Sequence, residues 1–342
     1  MAATHPFDPD KPPSAAERKH LETRLRRLYD AEKSYVKARA NLVTIATRSM
    51  SSSPVAKGEV RVRDTFVYRE DPAPGDASDR KLPPKEYWPP AGRLANPRGA
   101  ALRLMLIALF EAQARTMPGQ RPDNPRPLQG KGNEIGWTDL LATDAKPALD
   151  GLTAMSVSAK KGRHLFSALE LLHAEDLISL PHGQDRKNKH RGFLLNDEGG
   201  ERASGPNDLY VVPRKTEDYF SLPIALFTNG WIHVLEDSEL RYLLMLCRYH
   251  HMVPDGFGFK VKAGTRLLHM AIGPDTYDRH IWFTRFGLNE VTADDGRRDD
   301  GTVEEYGKGG KAIPHTLRLL LKGFERDGLR IVTKVIDEQL NR

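Results

Sequence analysis

Cysteine is nearly absent from this sequence, and long apolar runs are missing. Cys247 is the single cysteine among 342 residues, which excludes an internal disulfide and a cysteine-rich zinc site. No stretch approaches about 18 uninterrupted apolar residues, so no transmembrane helix and no membrane partner are expected. The N-terminal segment lacks the basic-then-apolar pattern of a secretion signal. These absences favour a soluble protein of the reducing cytoplasm.

The usual sequence patterns of catalytic sites are also missing. The segment GKGGK at 307–311 lacks the spacing of a phosphate-binding P-loop. His250 and His251 are adjacent rather than a helical turn apart, so they do not match a helical zinc pair. No nucleophile lies beside a base in a recognisable motif. The sequence therefore predicts that the protein is not an enzyme and has no catalytic residues, no metal site and no cofactor.

Positive charge is in modest excess, and its placement is more informative than its total. Lys and Arg number 52 against 46 Asp and Glu, which gives a net charge of +6. This balance favours a polyanionic partner, although many enzymes share it. Two basic clusters lie within SAKKGRHLFSALELLHAEDLISLPHGQDRKNKHRGFLL at 158–195. The first is Lys160, Lys161 and Arg163, and the second is Arg186, Lys187, Lys189, His190 and Arg191.

Composition and periodicity divide the chain into five segments. They are a disordered tail at 1–13 rich in Pro and Asp, a long helix at 14–48, a proline-rich linker with a short strand at 49–93, a first domain at 94–200, and a second domain at 201–342. Helical periodicity dominates, and the predicted strands are short. The expected fold class is therefore mainly α with small β-hairpins, that is, α+β.

The predicted helix at 14–48 carries an apolar stripe along one side. Ser14 and Glu17 have the spacing of a capping box. The stripe repeats every seven residues at Leu21, Leu28, Tyr35 and Leu42, with Leu25 on the same side. A stripe of this length is expected to be buried. Two partners remain open: a second copy of the chain, which would make the helix a dimer arm, or the helix's own domain.

The first domain is predicted to contain three helices followed by a hairpin. Asn96 is the expected cap of the first helix. The inward stripe of the third helix is formed by Leu165, Ala168, Leu169 and Leu172. A different arc of that helix carries Lys160, Arg163, His164 and Ser167. The strands DLISL and FLL then flank the polar turn PHGQDRKNKHRG.

This order resembles the winged-helix variety of helix-turn-helix domain. The resemblance lies in the helix end ALELLHAEDLISL and the hairpin ISLPHGQDRKNKHRGFLL. It implies that the third helix enters the major groove of DNA while the hairpin, the wing, lies against the backbone. Two such winged-helix domains, preceded by the long N-terminal helix, would then make up the chain.

The resemblance assigns DNA contacts to both basic clusters. Base reading falls to a recognition helix near 160–176, through Lys160, Lys161, Arg163, His164 and Ser167. Phosphate contact falls to a basic wing near 182–191, through Arg186, Lys187, Lys189, His190 and Arg191. Both clusters would lie on one face of the domain.

The second domain repeats the scheme with a different charge. FTRFGLNEV parallels LLHAEDLISL, and Thr276 and Arg279 are positioned to face a groove. The predicted hairpin TADDGRRDDGTVEEYGKGGK is rich in acidic residues, so its tip would repel phosphate. DNA contact and protein contact both remain open for this domain.

Three functions are compatible with this reading. The first is a sequence-specific transcriptional regulator that binds double-stranded DNA as a homodimer at the nucleoid, in the cytoplasm. The second is a plasmid or phage replication initiator, because the tandem arrangement over roughly 94–335 resembles those proteins. The third is a scaffold that uses winged helices to bind protein partners. Bound DNA sites separate the first two, and a lack of DNA affinity would favour the third.

Overall fold

A computed structural model of the chain describes residues 12–76, 81–96, 99–143, 156–185, 187–200, 207–254, 256–292 and 314–342. Over these residues the fold is a mixture of α and β structure and is mainly α, as predicted. Nearly all of the predicted tail at 1–13 lies outside the described residues.

The elements are as follows. The helices are α1 (Ala15–Thr47), α2 (Pro90–Leu94), α3 (Ala101–Ala114), α4 (Val157–Ala174), α5 (Ala225–Thr228), α6 (Trp231–Val234), α7 (Asp237–His251), α8 (Pro274–Tyr277), α9 (Arg279–Phe286) and α10 (Gly328–Leu340). The strands are β1 (Glu59–Arg63), β2 (Ile178–Ser179), β3 (Leu194–Leu195), β4 (Tyr219–Pro223), β5 (Asn289–Thr292) and β6 (Thr316–Leu319). They pair antiparallel as β1 with β4, β2 with β3, and β5 with β6.

Helix α1 packs against its own chain. Ser14 caps it, since its Oγ accepts a hydrogen bond of 3.2 Å from the Glu17 amide, as predicted. The predicted stripe is buried at Leu21, Leu28, Tyr35 and Leu42. Its partners are α10 and α5, and the Tyr35 hydroxyl donates to the Asn229 carbonyl at 3.1 Å. The apolar stripe is therefore already buried against the same chain, and it no longer supports the expectation that α1 is a dimer arm.

A buried ion pair ties α1 to α7. The Arg24 guanidinium donates to both carboxylate oxygens of Glu239, at 2.8 and 2.7 Å. Glu239 is fully buried, and it also accepts from the Glu236 amide at the start of α7. Arg24 is also almost fully buried. Since both charges are shielded from water, each is stable there only with its partner in place.

The segment at 49–93 is part of the core rather than a linker. Strand β1 pairs with β4 from the second predicted domain, with Val60 opposite Leu222. Both of these side chains are fully buried. On the other side of β1, Gln113 of α3 accepts from the Arg61 amide at 2.8 Å and donates to its carbonyl at 2.7 Å. Elements from the predicted linker and from both predicted domains therefore share one core.

The first predicted domain contains two of its three predicted helices and the hairpin in the predicted order, while the predicted second helix is only a short turn. Helix α3, a short turn at Trp137–Asp139, helix α4 and the β2–β3 hairpin follow one another. The start of α3 differs from prediction, because it begins at Ala101 rather than directly after Asn96. The Asn96 amide instead donates to the Asp237 carboxylate at 3.0 Å, which ties this segment to α7.

The second predicted domain repeats part of that order. Helix α7 is followed by α8 and α9 and then by the β5–β6 hairpin. A bridge between Phe259 and Leu317 adds a short third strand segment beside β6. The acidic hairpin tip predicted within 292–311 lies outside the described residues beyond Thr292.

Candidate nucleic-acid interface

The N-terminal half of α4 presents an open polar face. Ser156 caps the helix by accepting from the Ala159 amide at 3.1 Å. The predicted inward stripe is buried, so the helix is held by that side. On the outer side Arg163, His164 and Ser167 are exposed, while Lys160 is partly buried. Three of the predicted base-reading residues therefore share an accessible arc.

Lys161 lies on a different side of α4, against α1. Its ammonium donates to the Ser34 hydroxyl at 3.0 Å. Burial lowers the pKa of Lys161, and the neighbouring charge of Lys37 lowers it further. A DNA contact by Lys161 would require this bond to break. The structure thus gives Lys161 a role in joining α4 to α1.

The loop between β2 and β3 carries the second basic cluster. Lys187 and Arg191 are exposed, whereas Arg186 lies outside the described residues. An acidic residue shapes the turn, because Asp185 accepts from the Lys187 amide at 2.9 Å and from the Asn188 side chain at 2.7 Å. The hydrogen bond from Asn188 lowers the pKa of Asp185. Asp185 therefore orders the turn while the cations beside it stay open to solvent.

Glu170 of α4 contacts two residues of this basic loop. Its carboxylate lies 2.7 Å from the Lys189 ammonium and 2.7 Å from the His190 ring nitrogen. The His190 ring also stacks on Phe166, with 5.1 Å between the ring centres. Hydrogen bonding from Lys189 holds the pKa of Glu170 below its usual range. Two of the predicted phosphate contacts are thus already engaged with the helix.

Arg163 and the described part of the basic loop consequently share one face of α4, whereas Lys161 lies on another side. Glu170 follows Arg163 by two helical turns, so both point outward from the same side of α4. The loop covers the C-terminal part of that side and leaves the N-terminal part open. Sequence analysis missed Glu170 and Phe166. The signal that could have revealed Glu170 was its position, since it is an acidic residue seven positions after Arg163 on a surface that is otherwise basic.

Replacing Glu170 with glutamine is expected to loosen the loop without unfolding the protein. The ion pair between Glu170 and Lys189 is largely exposed and contributes little to global stability. Hydrogen exchange of the amides at 187–192 should speed up several-fold, while the melting temperature stays the same. Glu338→Gln, which removes an exposed partner of Lys334 on α10, is the matched control. Unaltered exchange in the loop would mean that Glu170 does not hold it.

In the second predicted domain, the two residues predicted to contact DNA are buried or partly buried. Thr276 is buried in α8, which corrects the expectation that it faces a groove. Arg279 is partly buried, and its guanidinium lies 3.8 Å from the Glu236 carboxylate. Helix α1 covers part of α9, because the Arg24 guanidinium lies 5.7 Å from the centre of the Phe286 ring. Among the described residues, α4 and its loop are the more open basic surface.

Within the described ranges, no three His, Cys, Asp or Glu side chains are grouped so that they could hold a metal ion. No helix in the same part of the chain is both long and apolar enough to cross a membrane. No known protein family, curated protein or solved structure matches this chain. Function is therefore inferred from the residues themselves.

Proposed function

We propose that this protein binds double-stranded DNA and acts as a sequence-specific transcriptional regulator. One observation carries the proposal: the exposed front of α4 and the basic loop lie on one face, joined by Glu170. On such a surface the N-terminal part of the helix can contact bases in a DNA groove while the cationic loop contacts the DNA backbone. The proposal needs no cofactor and places the protein at the nucleoid.

The two parts of this face have different roles. Lys187 and Arg191 are exposed cations, which suits contacts to phosphates that give affinity without sequence preference. Arg163 stands at the front of α4, where its planar fork can pair with O6 and N7 of guanine. His164 and Ser167 lie on the same arc and can contact neighbouring bases.

Arg163 is expected to contribute to sequence preference. A duplex selected from a random pool by the wild-type protein provides the specific site. Arg163→Ala should weaken binding to that site by about 1–3 kcal/mol and binding to random duplex much less. Arg163→Lys is the informative companion, because it keeps the charge and loses the fork. If Arg163→Ala weakens binding to the selected and the random duplex equally, Arg163 contacts phosphate rather than a base.

A plasmid or phage replication initiator is the second candidate. It is favoured by the repeated order of elements in the second domain, from α7 to the β5–β6 hairpin. Selected sites that recur as short direct repeats support an initiator, whereas a single palindrome supports a regulator. A homodimer remains a prediction, although α1 no longer supports it. A lack of duplex affinity in the wild-type protein would favour the protein-binding scaffold.

A further inference from the structure

A cleft of about 770 Å³ is lined by residues of α1, α4, α7 and α9. Helix α1 forms one wall through His20, Thr23 and Arg27, and His164 of α4 and Arg279 of α9 also line the cleft. Two residues that the sequence assigned to separate DNA-reading helices therefore line the same space. Its volume is in the range of sites that enclose a small organic ligand.

Positive charge is in excess in the described lining of this cleft. The charged residues there are Arg24, Arg27, Arg103, Arg241, Arg279, Glu236 and Asp237. Arg24 is already neutralised by Glu239. The other four arginines face two carboxylates, so the cleft carries two uncompensated positive charges. An anion that entered would meet complementary charge in a partly desolvated space, where such attraction is strong.

The individual arginines are held in place to different degrees. Arg103 donates to the carbonyls of Ile232 and Leu235, at 2.7 and 3.0 Å, which fixes its fork. Arg241 is buried, and burial lowers its pKa to about 10, although the nearby Asp237 carboxylate acts in the opposite direction. By contrast, Arg27 is exposed and forms no ion pair with the described residues. It can therefore turn towards a ligand at little cost.

Part of the remaining lining is apolar. It includes Leu28, Ala31, Trp88, Leu141 and Leu235. Fixed guanidinium groups beside an apolar wall suit a ligand that has a phosphate and a flat organic part. A nucleotide has both.

We propose that this cleft binds a nucleotide through its phosphate, with Arg27 as the cation that closes on it. The nucleotide can be free in solution or part of a DNA strand, and both present the same phosphate chemistry. For a DNA strand, the inference rests on the proposed function. For a free nucleotide, it stands independently of it.

The neighbouring residue Arg26 supplies a matched control. It is also exposed on α1 but lies a further 100° around the helix and outside the cleft. Arg27→Glu and Arg26→Glu therefore change the net charge equally and differ in position alone. Melting temperatures of both unliganded variants equal to that of the wild-type protein would show that neither change disturbs the fold.

The test uses two probes on the full chain. In the first, adenosine triphosphate is titrated without a divalent cation, and the melting temperature is followed. The wild-type protein and Arg26→Glu should show a saturable rise, and Arg27→Glu should bind at least about tenfold more weakly, the effect of losing one charged contact. In the second, the salt dependence of binding to a 30-base-pair duplex is measured for Arg27→Ala and Arg26→Ala. A log–log slope shallower by about 1 for Arg27→Ala alone identifies the DNA strand as the source.

The outcomes separate this inference from the proposed function. If neither probe distinguishes position 27 from position 26, the nucleotide site is wrong. If duplex binding then still depends on Arg163, the proposed function stands without it. If adenosine triphosphate binding depends on Arg27 but the duplex is not bound, the nucleotide site stands and the proposed function fails.

Discussion

Arg24→Met is expected to lower the free energy of unfolding by about 3–5 kcal/mol, the usual cost of removing one partner of a buried ion pair. The variant leaves the Glu239 carboxylate fully buried without its guanidinium. Methionine keeps much of the apolar stem, so the loss reports mainly the unpaired charge. Urea unfolding at pH 7 measures the difference.

A second substitution makes this prediction specific. Glu239→Gln, added to Arg24→Met, removes the buried charge while keeping an oxygen that can accept from the Glu236 amide. The double variant should therefore recover part of the lost stability. If Arg24→Met costs less than about 1 kcal/mol, as an exposed pair would, then α1 is not docked on α7 as described.

The second large effect concerns DNA affinity. Replacing both Lys187 and Arg191 with alanine should make the log–log salt slope of duplex binding shallower by about 2, since each phosphate contact contributes about 0.9. At 1 M salt this electrostatic contribution vanishes, so the variant and the wild-type protein should bind equally well. At 0.1 M salt the variant should bind roughly 60-fold more weakly than the wild-type protein. Random and selected duplexes should lose affinity alike, because phosphates carry no sequence.

That experiment needs a control that distinguishes the loss of positive charge in general from the loss of contacts at these two positions. Arg26→Ala with Lys33→Ala removes the same number of positive charges from exposed positions on α1. Lys189→Ala is a further comparison, because Lys189 is engaged by Glu170 and should contribute less than Lys187. An equal change of slope in the α1 variant would show a general charge effect rather than contacts from the loop.

Local features of the fold were predictable from the sequence, and long-range pairings were not. The Ser14 cap and the inward stripe of α4 depend on residues within a few turns, so periodicity and capping rules were sufficient. The pairing of β1 with β4 joins segments more than 150 residues apart, and no local signal encodes it. For this reason 49–93 was predicted as a linker although its strand is in the core.

The candidate site was predicted in part for the same reason. Helical geometry placed Arg163, His164 and Ser167 on one accessible arc. The engagement of Lys189 and His190 by Glu170 depends on how the loop folds back, which spacing does not specify. The prediction for Thr276 was wrong because α8 packs against α7. The sequence of a short helix that begins at a proline does not indicate which side is buried.

Hydrogen exchange of the full chain with and without a 30-base-pair duplex tests the central claim most directly. The proposed interface predicts slower exchange in the N-terminal half of α4 and in the loop at 187–192, with little change along α10. Protection confined to other parts of the chain, or no binding of duplex at low salt, would contradict the claim that α4 and its basic loop form a DNA-binding face.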